Sequence, residues 1–393
     1  MNNLTCNCVP RLDGVSSAEL RRLFPEPSRT APLLSLLQES GIDGFTLRSI
    51  VVSKDHAPIL LLPLFESRFD LSTFAEGWSK RSLRAAVRLI PSIFHPRVLG
   101  VGLLVGEWSE IGIDPQIDAG TLEAAWKMAL GALQTLAAEL KSDIVAFYNF
   151  NHHGKLPGEV FRKFNRVQCL PCARLPITFN SLEEYLGRLS RAARKDLRRK
   201  MRVSHEVRVI RSRSISPFLD RIYKLYLETV ERCPMALGVH NRSFLGNICE
   251  RVPGAEYTLY FVKEELVAFN LLLVTREAMV DKYFCMDVEV GRKYNLYFLS
   301  WLENVRYCVE KKIPLYHAGQ GAETTKAHLG ATFIPSFILF KHRQPVIDRF
   351  LIEQPTVIER ILRYLGFWPV VSPINRPGST GPGPTGGHPC SPP

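Results

Sequence analysis

Two hydrophobic spacings alternate along the second half of the chain, and they predict helices and strands in a definite order. Apolar residues recur every three to four positions from Leu182 to Leu197, so one helix with one buried face is expected over residues 181–201. Shorter apolar runs bounded by polar turns predict strands. The predicted elements are helix 181–201, strand 207–210, helices 216–233 and 241–252, strands 257–262, 266–274 and 279–286, helix 294–312, strand 313–317, helix 323–329 and strand 333–341.

The first half repeats the end of this order. A long helix is predicted over 122–140, with a strand over 58–65 before it and strand 144–148, helix 159–164 and strand 172–177 after it. Long helix, strand, short helix and strand therefore occur twice, about 170 residues apart. A long helix that joins two strands of one sheet implies a crossover, so we expect two mixed α/β halves in tandem.

Length and local composition divide the sequence into four regions. The chain has 393 residues, which suits two domains of ordinary size that divide near residues 178–182. The last region is rich in Pro, Gly, Ser and Thr with almost no apolar residues, and is expected to be disordered. The four regions are an N-terminal half over 1–180, a C-terminal half over 181–350, a closing amphipathic helix over 351–368 and the tail over 369–393.

Positive charge is concentrated in one segment. The formal net charge is +12, and residues 188–213 hold eleven Lys and Arg against two acids. One face of the predicted helix carries Arg191, Arg194 or Lys195, Arg198 and Arg202. Neighbouring like charges destabilise a helix, so an anionic partner would relieve their repulsion. The expected partner is tRNA or other RNA, an acidic lipid headgroup or a phosphorylated precursor, and the alternative is a solvated face.

Several features bear on the compartment. The most apolar stretches, 58–65 and 98–105, are far shorter than the roughly 20 residues of a spanning helix, so no membrane span is expected. A second basic stretch over 79–97 has amphipathic spacing and would lie on an anionic membrane or pack on the first half. We therefore expect a cytoplasmic protein, with peripheral attachment to the inner membrane surface as an option.

The nine cysteines are scattered, which is typical of reduced thiols in the cytosol. Two local pairs have the spacing of metal ligands, Cys6 with Cys8 and Cys169 with Cys172. A zinc site needs four ligands, and no second CxxC is present, so free thiols are expected and no metal.

Three segments occur in a recognisable order in the second half. Residues 190–202 form a basic helix, residues 285–287 close a strand before a long helix, and residues 316–330 combine Tyr-His-Ala-Gly-Gln-Gly with Thr-Lys-Ala-His-Leu-Gly. Together they resemble the GNAT superfamily, in the tandem-GNAT branch related to FemABX peptidyltransferases. The resemblance implies two tandem GNAT-like halves with mixed sheets, in the α/β (α+β) class.

The same resemblance implies transfer of an acyl or aminoacyl group to an amine acceptor, on a cell-envelope or polysaccharide precursor. No tightly bound cofactor is expected, and the acyl donor is a co-substrate, either acyl-CoA or an aminoacyl-tRNA. Residues 290–294 carry one glycine where CoA-dependent GNAT enzymes have a glycine-richer phosphate loop, which is more like FemABX proteins. Two alternatives are a CoA-dependent N-acyltransferase of a small amine and a catalytically silent module that binds an anionic polymer.

The resemblance places the site where the fourth and fifth strands of the second half separate, near residues 285–287 and 317–320. Asp287 is the predicted base or amine holder, and its alternative is a turn carboxylate. His317 could act as a base at near-neutral pH or be a structural histidine. Tyr283 and Tyr316 are predicted general acids or acceptor-site walls, although such residues often only pack.

Cationic candidates complete the predicted site. Lys326 matches the family's Lys-x-x-x-Gly position and would offset an oxyanion or a phosphate, unless it is a solvated lysine. Arg292 and Lys293 lie near a helix start, where a phosphate could bind. The predicted contacts to the anionic part of the donor come from the basic helix, through Arg194, Lys195, Arg198 and Arg199.

Overall fold

The computed structural model describes residues 3–25, 28–69, 95–105, 108–151, 156–232 and 238–353. Over these residues the chain forms seventeen strands and twelve α-helices. The strands are β1 Leu4–Val9, β2 Ile42–Asp43, β3 Phe45–Lys54, β4 Ala57–Arg68, β5 Arg97–Val101, β6 Gly112–Ile113, β7 Ile144–Phe150, β8 Asn165–Gln168, β9 Cys172–Pro176, β10 Arg208–Ser212, β11 Val239–His240, β12 Ala255–Val262, β13 Glu265–Val274, β14 Met279–Met286, β15 Leu315–Gly319, β16 Thr332–Ile334 and β17 Phe337–His342. The helices are α1 Ser17–Leu23, α2 Thr30–Ser40, α3 Ala119–Glu139, α4 Gly158–Lys163, α5 Leu182–Arg188, α6 Arg191–Lys200, α7 Leu219–Arg232, α8 Arg242–Arg251, α9 Val288–Lys293, α10 Leu296–Lys311, α11 Glu323–His328 and α12 Pro345–Glu353.

Two mixed sheets organise these elements. The first has ten strands, in the order β11-β2-β3-β4-β5-β7-β17-β8, with β1 paired to β3 and β6 paired to β4. The second has seven strands, in the order β10-β12-β13-β14-β15-β9-β16. Each sheet has one parallel pair, and a long helix connects its two strands: α3 lies between β5 and β7 in the chain, and α10 between β14 and β15. The other pairs are antiparallel. The mixed α/β class and the repeated order of elements predicted from sequence are confirmed.

Each half contributes its last strand to the sheet of the other half. Strand β9 of the first half lies between β15 and β16, and β17 of the second half lies between β7 and β8. The predicted division near residues 178–182 therefore does not separate the two sheets. The exchange also makes the prediction of one strand over 333–341 wrong, because Pro335 and Ser336 separate β16 from β17 and the two strands lie in different sheets.

The segments that lead into β9 and β17 are hydrogen-bonded to each other. Cys169 N–H donates to the carbonyl of Ser336 at 2.9 Å. The side chain of Gln320 donates to the Leu170 carbonyl at 2.8 Å and to Ser336 Oγ at 3.3 Å. The halves also share one hydrophobic core, in which α2 of the first half packs on α8 of the second. We therefore expect the described chain to unfold as one cooperative unit rather than as two domains.

The predicted helix over 181–201 is two helices, so that prediction is wrong. Leu189 adopts an extended backbone with φ −72° and ψ 153°, and the chain turns there. Ser190 Oγ then accepts a hydrogen bond from Ala193 N–H and caps α6. The apolar spacing runs in phase through the break, so the pattern alone did not reveal it. The long helix predicted over 294–312 likewise begins at Leu296, because Asn295 adopts a left-handed backbone with φ 52°.

Three predicted regions fall largely or wholly outside the described residues. The basic stretch over 79–97 is described only from residue 95. Of the closing helix predicted over 351–368, the described chain includes only the first three residues, which belong to α12. The tail over 369–393 lies outside the described residues, and its predicted disorder stays a prediction.

Candidate active site

A cleft opens where the two parallel strands of the second sheet separate. Strands β14 and β15 pair only at Met279 with Tyr316 and at Val280 with His317, and beyond these residues they diverge. The space between them has a volume of about 540 Å³ and is bounded by α7 and α10. The described chain therefore has an opening where the resemblance placed the site. We call it the central cleft.

A β-bulge decides which side chains of β14 reach the central cleft. Leu271 of β13 pairs with Tyr283, whereas its neighbour Leu272 pairs with Asp281, so Lys282 is an extra residue on β14. Side chains normally alternate along a strand, and a bulge interrupts the alternation. Asp281 and Lys282 consequently both line the central cleft. Strict alternation from Met286 would have put Asp281 on the opposite face, with Tyr283. Sequence reasoning missed Asp281 because the segments that bury this carboxyl are distant in the chain.

Four hydrogen bonds hold the Asp281 carboxylate. Asn270 Nδ2 donates to both carboxylate oxygens at 2.9 Å, and the Asn304 amide and the Tyr316 hydroxyl each donate to Oδ2 at 3.1 Å. The Asn270 carbonyl oxygen accepts from Tyr260 at 2.8 Å and from Ser300 at 3.0 Å, which turns its amide nitrogen towards Asp281. Oδ1 accepts only one of the four bonds, so it retains a lone pair for a ligand.

The surroundings of Asp281 favour its protonated form more than water does. Burial raises the pKa of this carboxyl to about 6, against the opposing effects of the Asn270 and Tyr316 hydrogen bonds and of the positive charge on Lys326. A carboxyl with this pKa can take up and release a proton near neutral pH. Perturbed groups of this kind in a cleft are typical of functional sites.

Lys326 lines the central cleft in the described chain, and of the other sequence-predicted catalytic candidates only Tyr316 also does so. The buried ammonium of Lys326 donates to the carbonyls of Ala318 at 2.7 Å, Gly319 at 3.2 Å and Gln320 at 3.0 Å. These bonds use all three donors and hold the end of β15 as one wall of the cleft. Burial lowers the pKa of Lys326 to about 8, although the negative charge of Asp281 acts in the opposite direction.

Three predicted catalytic side chains do not line this cleft: Asp287, Tyr283 and His317. Asp287 caps α9 by accepting from Val290 N–H at 3.1 Å, and it lies 3.7 Å from the Arg221 guanidinium. Tyr283 packs among aromatic rings on the opposite face of β14, with Tyr226 at 5.4 Å, and burial raises its pKa. His317 is buried against the Trp108 ring, with ring centroids 5.4 Å apart. Their catalytic roles stay predictions.

No protein-family model and no curated protein sequence matches the chain, but solved structures do. One is the C-terminal domain of a protein described as a lysylphosphatidylglycerol synthetase from Agrobacterium fabrum, with TM-score 0.51, 11% identity and coverage of 87% of this chain and 96% of that one. Another is a tandem GNAT protein from the clavulanic acid biosynthesis pathway, with TM-score 0.51, 10% identity and coverage of 87% and 99%. The chain has the tandem GNAT fold. FemX aligns with TM-score 0.48, 13% identity and coverage of 82% and 94%, and the assignment does not depend on it.

In this fold the predicted cationic groups lie near the N-terminal end of α10. Arg292 and Lys293 are exposed at the end of α9, just before α10 begins. The C-terminal end of α6 packs against the same place, because Asn295 Nδ2 donates to the Lys200 carbonyl at 3.3 Å. The Lys200 ammonium also lies 3.5 Å from the centre of the Phe298 ring. The basic helix and the predicted phosphate-binding residues therefore form one positive surface.

The structure sorts the cations of α6 and the turn after it into two sets. Arg194 donates to the Gly187 carbonyl at 3.2 Å, and Asp196 pairs with Arg199 at 2.6 Å and with Lys200 at 2.7 Å. A second set is exposed and has no partner among the described residues, and we call it the cationic stripe: Arg191, Lys195, Arg198 and Arg202. Of the four predicted contacts on the basic helix, Lys195 and Arg198 are available to a ligand, whereas Arg194 and Arg199 are engaged.

The described residues contain no group of three or more His, Cys, Asp and Glu side chains placed to hold a metal ion. None of the helices in the described ranges has the length and apolar character to span a bilayer.

Proposed function

We propose that this tandem GNAT protein is an acyltransferase, and that it transfers an acyl or aminoacyl group to an amine in the central cleft. The observation that carries the proposal is the Asp281 carboxyl, which lines the cleft with a pKa of about 6. The similarity in fold to a tandem GNAT protein and to a lysylphosphatidylglycerol synthetase domain supports it. Asp281 takes the role that the sequence suggested for Asp287.

Acyl transfer requires the acceptor amine to lose a proton as it attacks the donor carbonyl carbon. Ionised Asp281 accepts that proton at Oδ1 while the carbon–nitrogen bond forms. The carbonyl oxygen becomes an oxyanion, and the tetrahedral intermediate then expels the donor's thiolate or ribose oxygen, which takes the proton. Lys326 contributes through the field of its positive charge, since its three N–H groups already bind the end of β15.

The donor is proposed to approach along the positive surface at the N-terminal end of α10. Its phosphates would meet Arg292 and Lys293, as expected for acyl-CoA or for the acceptor end of an aminoacyl-tRNA. The single glycine in residues 290–294 favours the tRNA donor. An acceptor amine would enter from the α7 side of the central cleft, where Thr229 and Arg232 form the wall.

A binding measurement tests the donor before any activity is assayed. Acyl-CoA and aminoacyl-tRNA are titrated separately by calorimetry, and Arg292→Gln with Lys293→Gln should weaken the bound donor about tenfold, the scale of losing two charge-assisted contacts. Turnover is then followed with the donor that binds, in wild type, Asp281→Asn and Asp287→Asn. Binding of neither donor would contradict the proposal and leave the silent anion-binding module.

A further inference from the structure

A second cleft lies on the other side of α10 from the central cleft. The break at Leu189–Ser190 separates α5 from α6, and a space of about 390 Å³ remains between them, α10 and β10. We call it the lateral cleft. Its apolar lining includes Leu182, Leu186, Leu197, Met201, Leu299 and Leu302.

Helix α10 separates the two clefts. Leu299 and Leu302 line the lateral cleft, whereas Ser300 and Trp301 line the central cleft, so the lateral cleft is not part of the proposed acyl-transfer site. Leu182, Leu186 and Met201 remain only half-buried at the lateral cleft. These side chains would gain stabilisation from an apolar ligand, by roughly 25 cal/mol for each Å² removed from water.

Cations border this apolar space. Arg198 of the cationic stripe lines the lateral cleft, and so does Arg306, which pairs with Glu303 at its margin. The other members of the cationic stripe are exposed on either side of Arg198, on α6 and on the turn after it. An apolar cleft beside a row of unpaired cations combines the two halves of an amphiphile's binding site.

We propose that the lateral cleft and the cationic stripe together bind an anionic lipid, with an acyl chain in the cleft and the acidic headgroup on the stripe. RNA fits the stripe but not the cleft. Among the described residues no aromatic side chain lines the cleft to stack a base, and the lining is mostly aliphatic. An anionic lipid fits both the apolar cleft and the cationic stripe. The site would attach the protein to an acidic membrane surface, and this inference does not depend on the proposed acyl transfer.

Vesicle flotation tests the proposal with the full chain. We expect binding to phosphatidylcholine vesicles that contain about a third phosphatidylglycerol, and little binding to pure phosphatidylcholine. Lys195→Gln with Arg198→Gln should weaken binding about twentyfold, since each basic residue near an acidic surface contributes a factor of roughly five. Arg199→Gln is the matched control: it removes a charge that is already paired with Asp196, and it should weaken binding less than about threefold.

A separate variant tests whether the lateral cleft binds an acyl chain. Leu186→Gln keeps the charge unchanged and should weaken vesicle binding about tenfold, because a chain in the cleft loses an apolar contact. Met201→Gln makes the same test should Leu186→Gln lower the melting temperature. If a folded Leu186→Gln or Met201→Gln variant binds vesicles as tightly as the wild type, the proposal that an acyl chain enters the lateral cleft is wrong. Binding of tRNA that depends on Lys195 and Arg198, without binding to acidic vesicles, would overturn the lipid and assign the stripe to RNA.

Discussion

Replacement of Asp281 by asparagine should change how the stability of this protein depends on pH. In the folded protein the pKa of Asp281 is raised from 3.8 to about 6, so between these values the unfolded chain is ionised while the folded chain still holds a proton. Stability from this group is therefore full below about pH 3.8 and is lost as the pH rises through 6. Asparagine does not titrate, and the variant lacks this dependence.

The size of the effect follows from the two pKa values. Each unit of difference between the folded and unfolded pKa values corresponds to about 1.4 kcal/mol. Between about pH 4.5 and pH 7.5, the stability that depends on this difference changes by the equivalent of roughly one and a half units. The free energy of unfolding of wild type, minus that of Asp281→Asn, should thus fall by about 2 kcal/mol across this window. Asparagine also places an amide among three donors, so the variant should be less stable at low pH.

Urea unfolding at a series of pH values measures this difference, followed by fluorescence and circular dichroism. The shared core and the exchanged strands should give one transition with both probes. Asp196→Asn is a control of opposite sign, because hydrogen bonds from Arg199 and Lys200 lower the pKa of that carboxyl and its stability is lost as the pH falls. A wild-type minus Asp281→Asn difference that stays constant from pH 4.5 to 7.5 would refute the raised pKa and, with it, Asp281 as the base.

Three further outcomes are expected. Asp281→Asn should remove the acidic limb of the pH–rate profile. Asp287→Asn should keep this limb, because asparagine also caps α9. The reverse result would restore Asp287 as the base. Lys326→Met should lower turnover by roughly a hundredfold, as the end of β15 loses its anchor and the cleft its positive charge, and unchanged turnover in a folded variant would remove Lys326 from the site. Ser190→Ala should reduce stability by about 1 kcal/mol in thermal unfolding, through loss of the α6 cap, and no change would mean that the break at Leu189 does not depend on it.

Much of the local structure was predictable from sequence. Strands β12 and β13 were expected from two apolar runs, and Lys263 and Glu264 between them adopt the left-handed backbone of a tight turn. Strand β14 has the predicted bounds, and the repeated order of long helix, strand, short helix and strand is present in both halves. Such features depend on neighbours within a few residues, which the hydrophobic spacing records directly.

The candidate site was predictable only in part. Lys326 was selected because its spacing to Gly330 resembles that of a known family, and the same resemblance placed the site between the fourth and fifth strands of the second half. Asp281, the proposed base, was missed because its hydrogen-bond partners Asn270, Asn304 and Tyr316 lie on other elements of the fold. Asp287 was favoured instead for its position at a strand end, where it caps a helix.

The sequence by itself determined which segments are helix or strand, where positive charge accumulates, and that two similar α/β units follow one another. Only the tertiary structure decided that β9 and β17 change sheets, that α6 begins anew at Ser190, and that Asp281 meets Asn270, Asn304 and Tyr316. The physical reason is the range of the interactions. Hydrophobic period and helix caps act within one or two turns, whereas the partner of an edge strand and the surroundings of a buried carboxyl are set by residues far away in the chain.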